Sequence, residues 1–217
     1  MQTRRPRREE RKEETRRELT EAATRVFAER GFHAASLEQI ARDAGYTTGA
    51  IYWHFGGKDE LFLAAFEAYA LTRVGEVTEV YERQGGGLPQ RARAVADHWM
   101  ARVADDPSFV VVAMEFFVHS LRKPELREAL AARQAAVRLA LGRLVEQTLR
   151  EDGQELPMPA QEVATVTREL GIGMALAKLL DPEVFPDRLP GDFVELFFEL
   201  ALGGDRASST DRLGEAP

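Results

Sequence analysis

Apolar residues recur every three to four positions along most of the chain, and glycine or proline separates one such stretch from the next. This period matches α-helices that each bury one face. No segment shows the alternation of apolar and polar residues, bounded by hairpin turns, that marks a strand. The pattern therefore predicts an all-α protein of about nine helices.

Residue types at the helix ends sharpen this prediction. Ser36 and Gln39 form a capping box, in which the Ser36 hydroxyl accepts from the backbone N–H of Gln39 and the Gln39 side chain reaches back. Gly45 can then end the helix in a left-handed turn. The predicted helices cover residues 9–31, 36–45, 47–55, 58–84, 89–105, 108–122, 124–151, 160–180 and 191–202.

Charge is unevenly distributed along the chain. Residues 1–60 carry 12 Lys and Arg against 11 Asp and Glu, whereas the remainder carries 17 against 25, so only the N-terminal part suits a polyanion. We expect a flexible basic arm over residues 1–14, which either approaches a polyanion or is only a solubilising end, and a disordered tail over 204–217. The arginines of the arm are Arg4, Arg5, Arg7 and Arg8.

Several function classes are disfavoured by what the sequence lacks. It has no cysteine, four scattered histidines and no glycine-rich phosphate loop, so no nucleophile–base pair, metal site or cofactor site is predicted, and the protein is not expected to be an enzyme. It also has no apolar stretch of membrane-spanning length and no export signal at its start. We therefore expect a cytoplasmic protein without a membrane partner.

Residues 36–55 describe two short helices joined by a tight glycine turn and packed on a third, which is a helix-turn-helix arrangement. The second helix of such a pair enters a DNA major groove about 12 Å wide, so its exposed start needs small residues that form hydrogen bonds. Further along, and at the N-terminus of the next helix, polar side chains can bind phosphates. The candidates are Thr47, Thr48 and Gly49 for bases, and Tyr52, His54 and Lys58 for phosphates.

Residues 51–61, Ile-Tyr-Trp-His-Phe-Gly-Gly-Lys-Asp-Glu-Leu, closely resemble the signature of the TetR family of bacterial transcriptional regulators. The resemblance implies an Ω-shaped, all-helical homodimer. It assigns a helix-turn-helix DNA-binding domain to residues 15–62 and a ligand-binding and dimerisation domain to 63–203. It also implies that Ser36 binds phosphate, that Trp53 joins the base-reading positions, and that the basic arm enters the minor groove.

Each of these assignments has a structural alternative. Tyr52 or Trp53 can cover the three-helix core, although adjacent residues cannot both face inward. His54 can cap the C-terminus of its helix, and Lys58 can be an ordinary solvated lysine. Because a purely structural three-helix unit does not need an exposed Thr-Thr-Gly followed by tyrosine, histidine and lysine, the combination favours DNA binding.

The segment 109–118 is apolar on every side of a helix except at Glu115, and we expect its neighbours to surround it. Glu115 and His119 stand four residues apart, so they either pair with each other, recognise a ligand or bind a metal with His98. Apolar residues near this helix either line a ligand cavity or form ordinary core. The candidate ligand-binding residues are Trp99, Val103, Met114, Glu115, Phe117, Val118, His119, Leu170 and Met174.

The last two predicted helices carry small residues on one and surplus apolar surface on the other, and pairing two copies would form a four-helix bundle. The candidate interface residues are Ala164, Gly171, Ala175, Phe193, Phe197 and Leu200. The resemblance implies a homodimeric repressor that binds a palindromic double-stranded DNA operator and is released by a small molecule, and the apolar candidate residues favour a lipophilic or aromatic effector. The alternative is a helical dimer that binds a small molecule or a protein partner and no longer binds DNA.

Overall fold

The computed structural model describes residues 6–183 and 185–203, with side chains from residue 8 onward. Within this part of the chain every regular element is helical, so the all-α prediction is confirmed. The helices are α1 (Pro6–Ala34), α2 (Leu37–Asp43), α3 (Thr48–Phe55), α4 (Lys58–Gln84), α5 (Leu88–Asp105), α6 (Ser108–Ser120), α7 (Pro124–Asp152), α8 (Ala160–Leu180) and α9 (Leu189–Gly203).

Helix α1 begins at Pro6, so the expectation of a flexible arm over residues 1–14 is wrong for residues 6–14. Pro6 opens it, as suits a residue without a backbone N–H and with a helical φ, and Glu9 places an acid in the first turn. Residues 6–14 are therefore helical, and Arg8 is an exposed residue of that helix. Arg4, Arg5, the side chain of Arg7 and the predicted tail over 204–217 lie outside the described residues.

Gly31, the last residue of the first predicted helix, interrupts α1. Its φ of 78° lies in the left-handed region, which glycine adopts without a Cβ clash, and a short helical turn follows up to Ala34. The chain is thereby redirected before it enters α2.

The chain forms two compact units, Met1–Glu76 with Arg102–Arg138, and Val77–Ala101 with Leu139–Pro217. This division differs from the expected boundary between residues 62 and 63. The reason is that α6, which lies within the expected second domain over residues 63–203, packs against α1 and shares a core with the N-terminal helices.

Aromatic rings form the centre of the first unit. Phe62 lies 4.9 Å from Phe27, 5.2 Å from Phe32 and 4.0 Å from Phe116, measured between ring centroids. Burial of each ring contributes roughly 1.5–3 kcal/mol, and favourable ring pairs add about 0.5–1.5 kcal/mol. This cluster holds α1, α4 and α6 together beneath the short helices α2 and α3.

The second unit has its own core, built around Leu88, Val163 and Phe198. Arg93 connects α5 to α9 inside this unit, because its guanidinium contacts Glu195 at 2.5 Å and Asp192 at 2.8 Å. Helix α9 is therefore linked to α5 by ion pairs within the unit.

Gly142 lies where α7 and α8 approach closely. A Cβ placed there would be 3.0 Å from Cα of Gln161 and 2.8 Å from its Cγ, whereas a Cβ at Gly75 on α4 would meet nothing within 4 Å. We expect Gly142→Ala to destabilise the protein by about 1–3 kcal/mol through overpacking, while Gly75→Ala should stabilise it by about 0.5–1 kcal/mol. Thermal unfolding at equal protein concentration measures both, and equal shifts for the two variants would contradict the close approach.

Candidate nucleic-acid interface

The α2–turn–α3 segment has the local geometry that the sequence predicts. The Ser36 hydroxyl accepts from the backbone N–H of Gln39 at 3.2 Å and caps α2, and Gly45 makes the turn with a φ of 76°. Thr47 is the N-cap residue of α3, but its side chain makes no capping hydrogen bond. The start of α3 therefore carries a hydroxyl that the helix does not use.

Helix α3 buries one face and exposes the other. Ile51 and Phe55 point into the core, whereas Tyr52 is 57% exposed and Trp53 is 66% exposed. The alternative in which Tyr52 or Trp53 covers the core is therefore wrong. Thr47 and Gly49 are also exposed, and Thr48 is half-buried.

Two basic residues of α1 extend the polar surface around α3, and sequence reasoning missed both. The Lys12 ammonium lies 5.3 Å from the centre of the Trp53 ring. The Arg16 guanidinium lies 4.2 Å from the Phe55 ring and donates to the His54 carbonyl at 2.6 Å. The signal was the spacing of Arg8, Lys12 and Arg16, which are four residues apart and share one helix face.

His54 is half-buried, and its Nδ1 has no hydrogen-bond partner among the described residues. Burial, followed by the positive charges of Arg16 and Lys12, lowers its pKa below the usual value. The ring is therefore mainly neutral at pH 7. Both a charged phosphate contact and a protonated helix cap are disfavoured for this residue.

Lys58 is half-buried and is not the solvated lysine of the alternative interpretation. Its ammonium donates to the His33 carbonyl at 3.1 Å and lies 4.9 Å from the Phe32 ring. Desolvation lowers its pKa. Lys58 thus ties the start of α4 to the end of α1 with one of its three donors, which leaves two for a phosphate.

Glu115 and His119 on α6 do not pair with each other, so that one of the three alternatives is wrong. Glu115 Oε2 instead accepts from the backbone N–H of Phe32 at 2.8 Å, and a Cβ at Gly31 would come within 2.9 Å of both carboxylate oxygens. His119 Nε2 lies 3.2 Å from Asp59 Oδ1. Because α6 packs against α1 and α4, each polar group meets an end of a different helix.

Asp59 at the start of α4 also accepts from the Lys123 ammonium at 2.7 Å. Desolvation acts to raise its pKa, but the hydrogen bonds and charges of Lys123 and His119 outweigh this effect and lower it. The carboxylate is therefore ionised at neutral pH and links α4 to the end of α6. Two independent polar contacts thus connect α6 to the N-terminal helices.

The candidate ligand-binding residues do not gather in one described cavity. Val103 is buried, Phe117 packs against the first core, Met114 is half-buried, and Val118 is 56% exposed, which contradicts a fully surrounded α6. Trp99, Leu170 and Met174 belong to the second unit. Leu170 and Met174 line an open pocket of about 490 Å³ on α8, and no metal-binding group of three His, Asp or Glu occurs among the described residues.

Three of the candidate interface residues make their contacts within the subunit. Ala164 and Ala175 are buried, and the Gly171 carbonyl accepts from the Trp99 indole at 3.1 Å. Their small size permits packing inside the chain, so they are not available to a second copy as expected. The exposed apolar residues of α8 and α9 are Val166, Leu170, Leu176, Leu180, Leu189, Phe193, Leu196, Phe197 and Leu200.

Family comparisons match both parts of the chain. Residues 19–65 match the model of the tetR family of bacterial regulatory proteins, and residues 89–195 match the C-terminal model of BetI-type transcriptional repressors. The chain belongs to the TetR family. Its helix-turn-helix segment is therefore the DNA-binding part of a transcriptional regulator.

Relatives of this TetR-family chain are regulators as well. It is 28% identical to the transcriptional regulator AcrR of Shigella flexneri, over 88% of this chain and 90% of that protein. It is 54% identical to SrpR of Pseudomonas putida over 24% of each chain. Both proteins are named as transcriptional regulators rather than enzymes.

Solved structures share the fold of this TetR-family member. A tetR-family regulator from Streptomyces coelicolor has a TM-score of 0.63 and 24% identity, covering 87% of this chain and 80% of that one. The regulator FadR of Bacillus subtilis, solved in complex with stearoyl-CoA, has a TM-score of 0.62 and 18% identity, covering 87% and 98%. None of the helices in the described residues is long and apolar enough to cross a membrane.

Proposed function

We propose that this TetR-family regulator is a homodimeric repressor that reads a palindromic operator with α3 and is released by a small effector with a lipophilic or aromatic part. The observation that carries the proposal is the exposed face of α3. Small residues at its start, with the exposed Trp53 further along, leave room for base edges, and Tyr52, Lys12 and Lys58 supply groups that suit phosphates.

Dimerisation is supported by the apolar surface on the last two helices. Residues 166, 170, 176 and 180 follow one side of α8, and residues 193, 196, 197 and 200 follow one side of α9. Exposed apolar surface on this scale is unusual on a monomer. Two copies of the pair would bury it as a four-helix bundle and would link two reading heads.

The contacts of α6 can couple effector binding to DNA binding. Glu115 holds the chain at Phe32, just before α2, and His119 holds the start of α4, just after α3. A ligand that moves α6 would therefore act on both ends of the helix-turn-helix segment. It can do so only if it binds the two conformations with different affinities.

The role of α3 is tested by two matched substitutions. Tyr52→Ala should weaken DNA binding about tenfold for all sequences, because a phosphate contact carries no base information. Thr48→Ala should instead change the preferred base pair at one position of each half-site. Mobility shifts on the DNA upstream of the protein's own gene and on a scrambled duplex measure both effects.

Tyr52→Phe is the control, because it keeps the ring and removes only the hydroxyl. The alternative function, a helical dimer that binds a small molecule or a partner protein without DNA, requires that neither the wild-type protein nor any of these variants shifts either duplex. A result in which Tyr52→Ala has no effect would contradict the proposed orientation of α3.

A further inference from the structure

Arg73 on α4 and Arg102 on α5 both belong to the first unit. The Arg73 side chain is only 19% exposed and contacts Glu76 Oε1 through one terminal nitrogen at 2.6 Å. Its Nε and its other terminal nitrogen are buried and have no hydrogen-bond partner among the described residues. The Nε of Arg102 is also buried and has no hydrogen-bond partner among the described residues.

Buried guanidinium N–H groups without acceptors destabilise a protein, because folding removes their hydrogen bonds to water and no acceptor in the protein replaces them. Three such nitrogens occur on two side chains of the first unit. Buried polar groups in native proteins normally have partners. An acceptor supplied by a ligand would satisfy these donors.

Two aromatic rings lie beside Arg73. The Arg73 guanidinium lies 4.9 Å from the centre of the Tyr69 ring, and Tyr69 stacks on Phe109. Burial raises the pKa of the Tyr69 hydroxyl, while the charges of Arg73 and Arg102 oppose that rise. Both arginines are thus within electrostatic reach of one hydroxyl, which stays protonated and able to donate at pH 7.

The nearest acid at the start of α6 is engaged elsewhere. Asp106 Oδ1 accepts from the hydroxyl of Ser108 at 2.5 Å and from its backbone N–H at 3.1 Å. These hydrogen bonds lower the pKa of Asp106, so the carboxylate is ionised and already serves the first turn of α6. It therefore does not supply the missing acceptors of Arg102.

We infer that Arg73 and Arg102 bind the oxyanion of a small organic acid whose apolar body lies against Tyr69 and Phe109. A planar guanidinium offers parallel donors that match a carboxylate, and aromatic faces suit the remainder of such a molecule. The inference rests on the proposed effector response and narrows the effector from a lipophilic or aromatic compound to an anionic one.

Matched acid and amide pairs test this directly. Benzoate with benzamide, 1-naphthoate with 1-naphthamide, and octanoate with octanamide differ within each pair only in the ionised group. Isothermal titration of the full-length protein should show at least one acid binding tenfold or more tightly than its amide. Arg73→Gln and Arg102→Gln should each remove about tenfold or more of the affinity for that acid and leave the amide within twofold.

Arg127→Gln is the matched control, because it removes the same charge from an exposed position on α7. Arg73→Lys should recover only part of the affinity, since lysine keeps the charge without the planar donors. Thermal unfolding of each variant without ligand verifies that the fold is retained. The inference is overturned if no acid is preferred over its amide, or if the preference survives in both glutamine variants.

A mobility shift without ligand separates this result from the proposed function. If the protein shifts operator DNA but shows no preference for acids, the anionic effector is wrong and the regulator remains. If the protein binds an acid more tightly than its amide, loses this preference in the glutamine variants and never shifts DNA, the anion site is supported and the proposed function fails.

Discussion

Replacement of Leu196 and Leu200 by aspartate should make the protein monomeric and weaken operator binding by about 100-fold or more. These side chains are 53% and 67% exposed in the single chain and lie on the apolar surface of α9. Two linked reading heads gain roughly 10²–10⁴ in affinity over one, and charged groups in the proposed bundle would remove that gain. Sedimentation gives the oligomeric state, and fluorescence anisotropy gives the affinity for DNA.

Leu121→Asp is the matched control, because Leu121 is equally exposed but lies at the end of α6 in the first unit. It should leave both the oligomeric state and the DNA affinity unchanged. A double variant of α9 that still sediments as a dimer with wild-type affinity would contradict the proposed interface.

Glu115→Ala should lower the free energy of unfolding by about 1–3 kcal/mol, because the backbone N–H of the buried Phe32 loses the carboxylate that accepts from it. The thermal midpoint of a chain of this size would fall by roughly 2–4 °C for each kcal/mol. DNA binding should also respond less to effector, since one of the two polar contacts between α6 and the N-terminal helices is lost. Calorimetry and anisotropy measure the two effects.

Glu115→Gln separates the hydrogen bond from the charge. It keeps an oxygen that can accept from Phe32, so it should recover more than half of the lost stability. If alanine and glutamine variants both unfold at the wild-type temperature, the contact between α6 and the turn at Gly31 does not stabilise the protein.

The local structure of this chain follows closely from its sequence. Ser36 caps α2 as its hydroxyl and the position of Gln39 predict, and Gly45 makes the left-handed turn. Lys58 opens the long helix α4, which ends before the triple glycine. These features depend on residues a few positions apart, so hydrogen-bonding groups and backbone sterics are sufficient to place them.

Contacts between distant helices were harder to predict. Spacing places Glu115 and His119 on one face of α6 but does not say that α1 and α4 meet that face. Small residues such as Ala164 and Ala175 predict close packing, yet they pack inside the subunit. Arg73 and Arg102 carry no local signal, because only the fold places these two residues in one unit.

The most direct test of this account is a hydroxyl-radical footprint of the protein on the DNA upstream of its own gene. We expect two protected half-sites, centred about 10 base pairs or a multiple of that apart, because two copies of α3 would lie in major grooves on one side of the duplex. Protection at both should disappear together in the α9 aspartate variant at the same protein concentration. Absence of protection, or a single half-site bound equally well by the monomer, would contradict it.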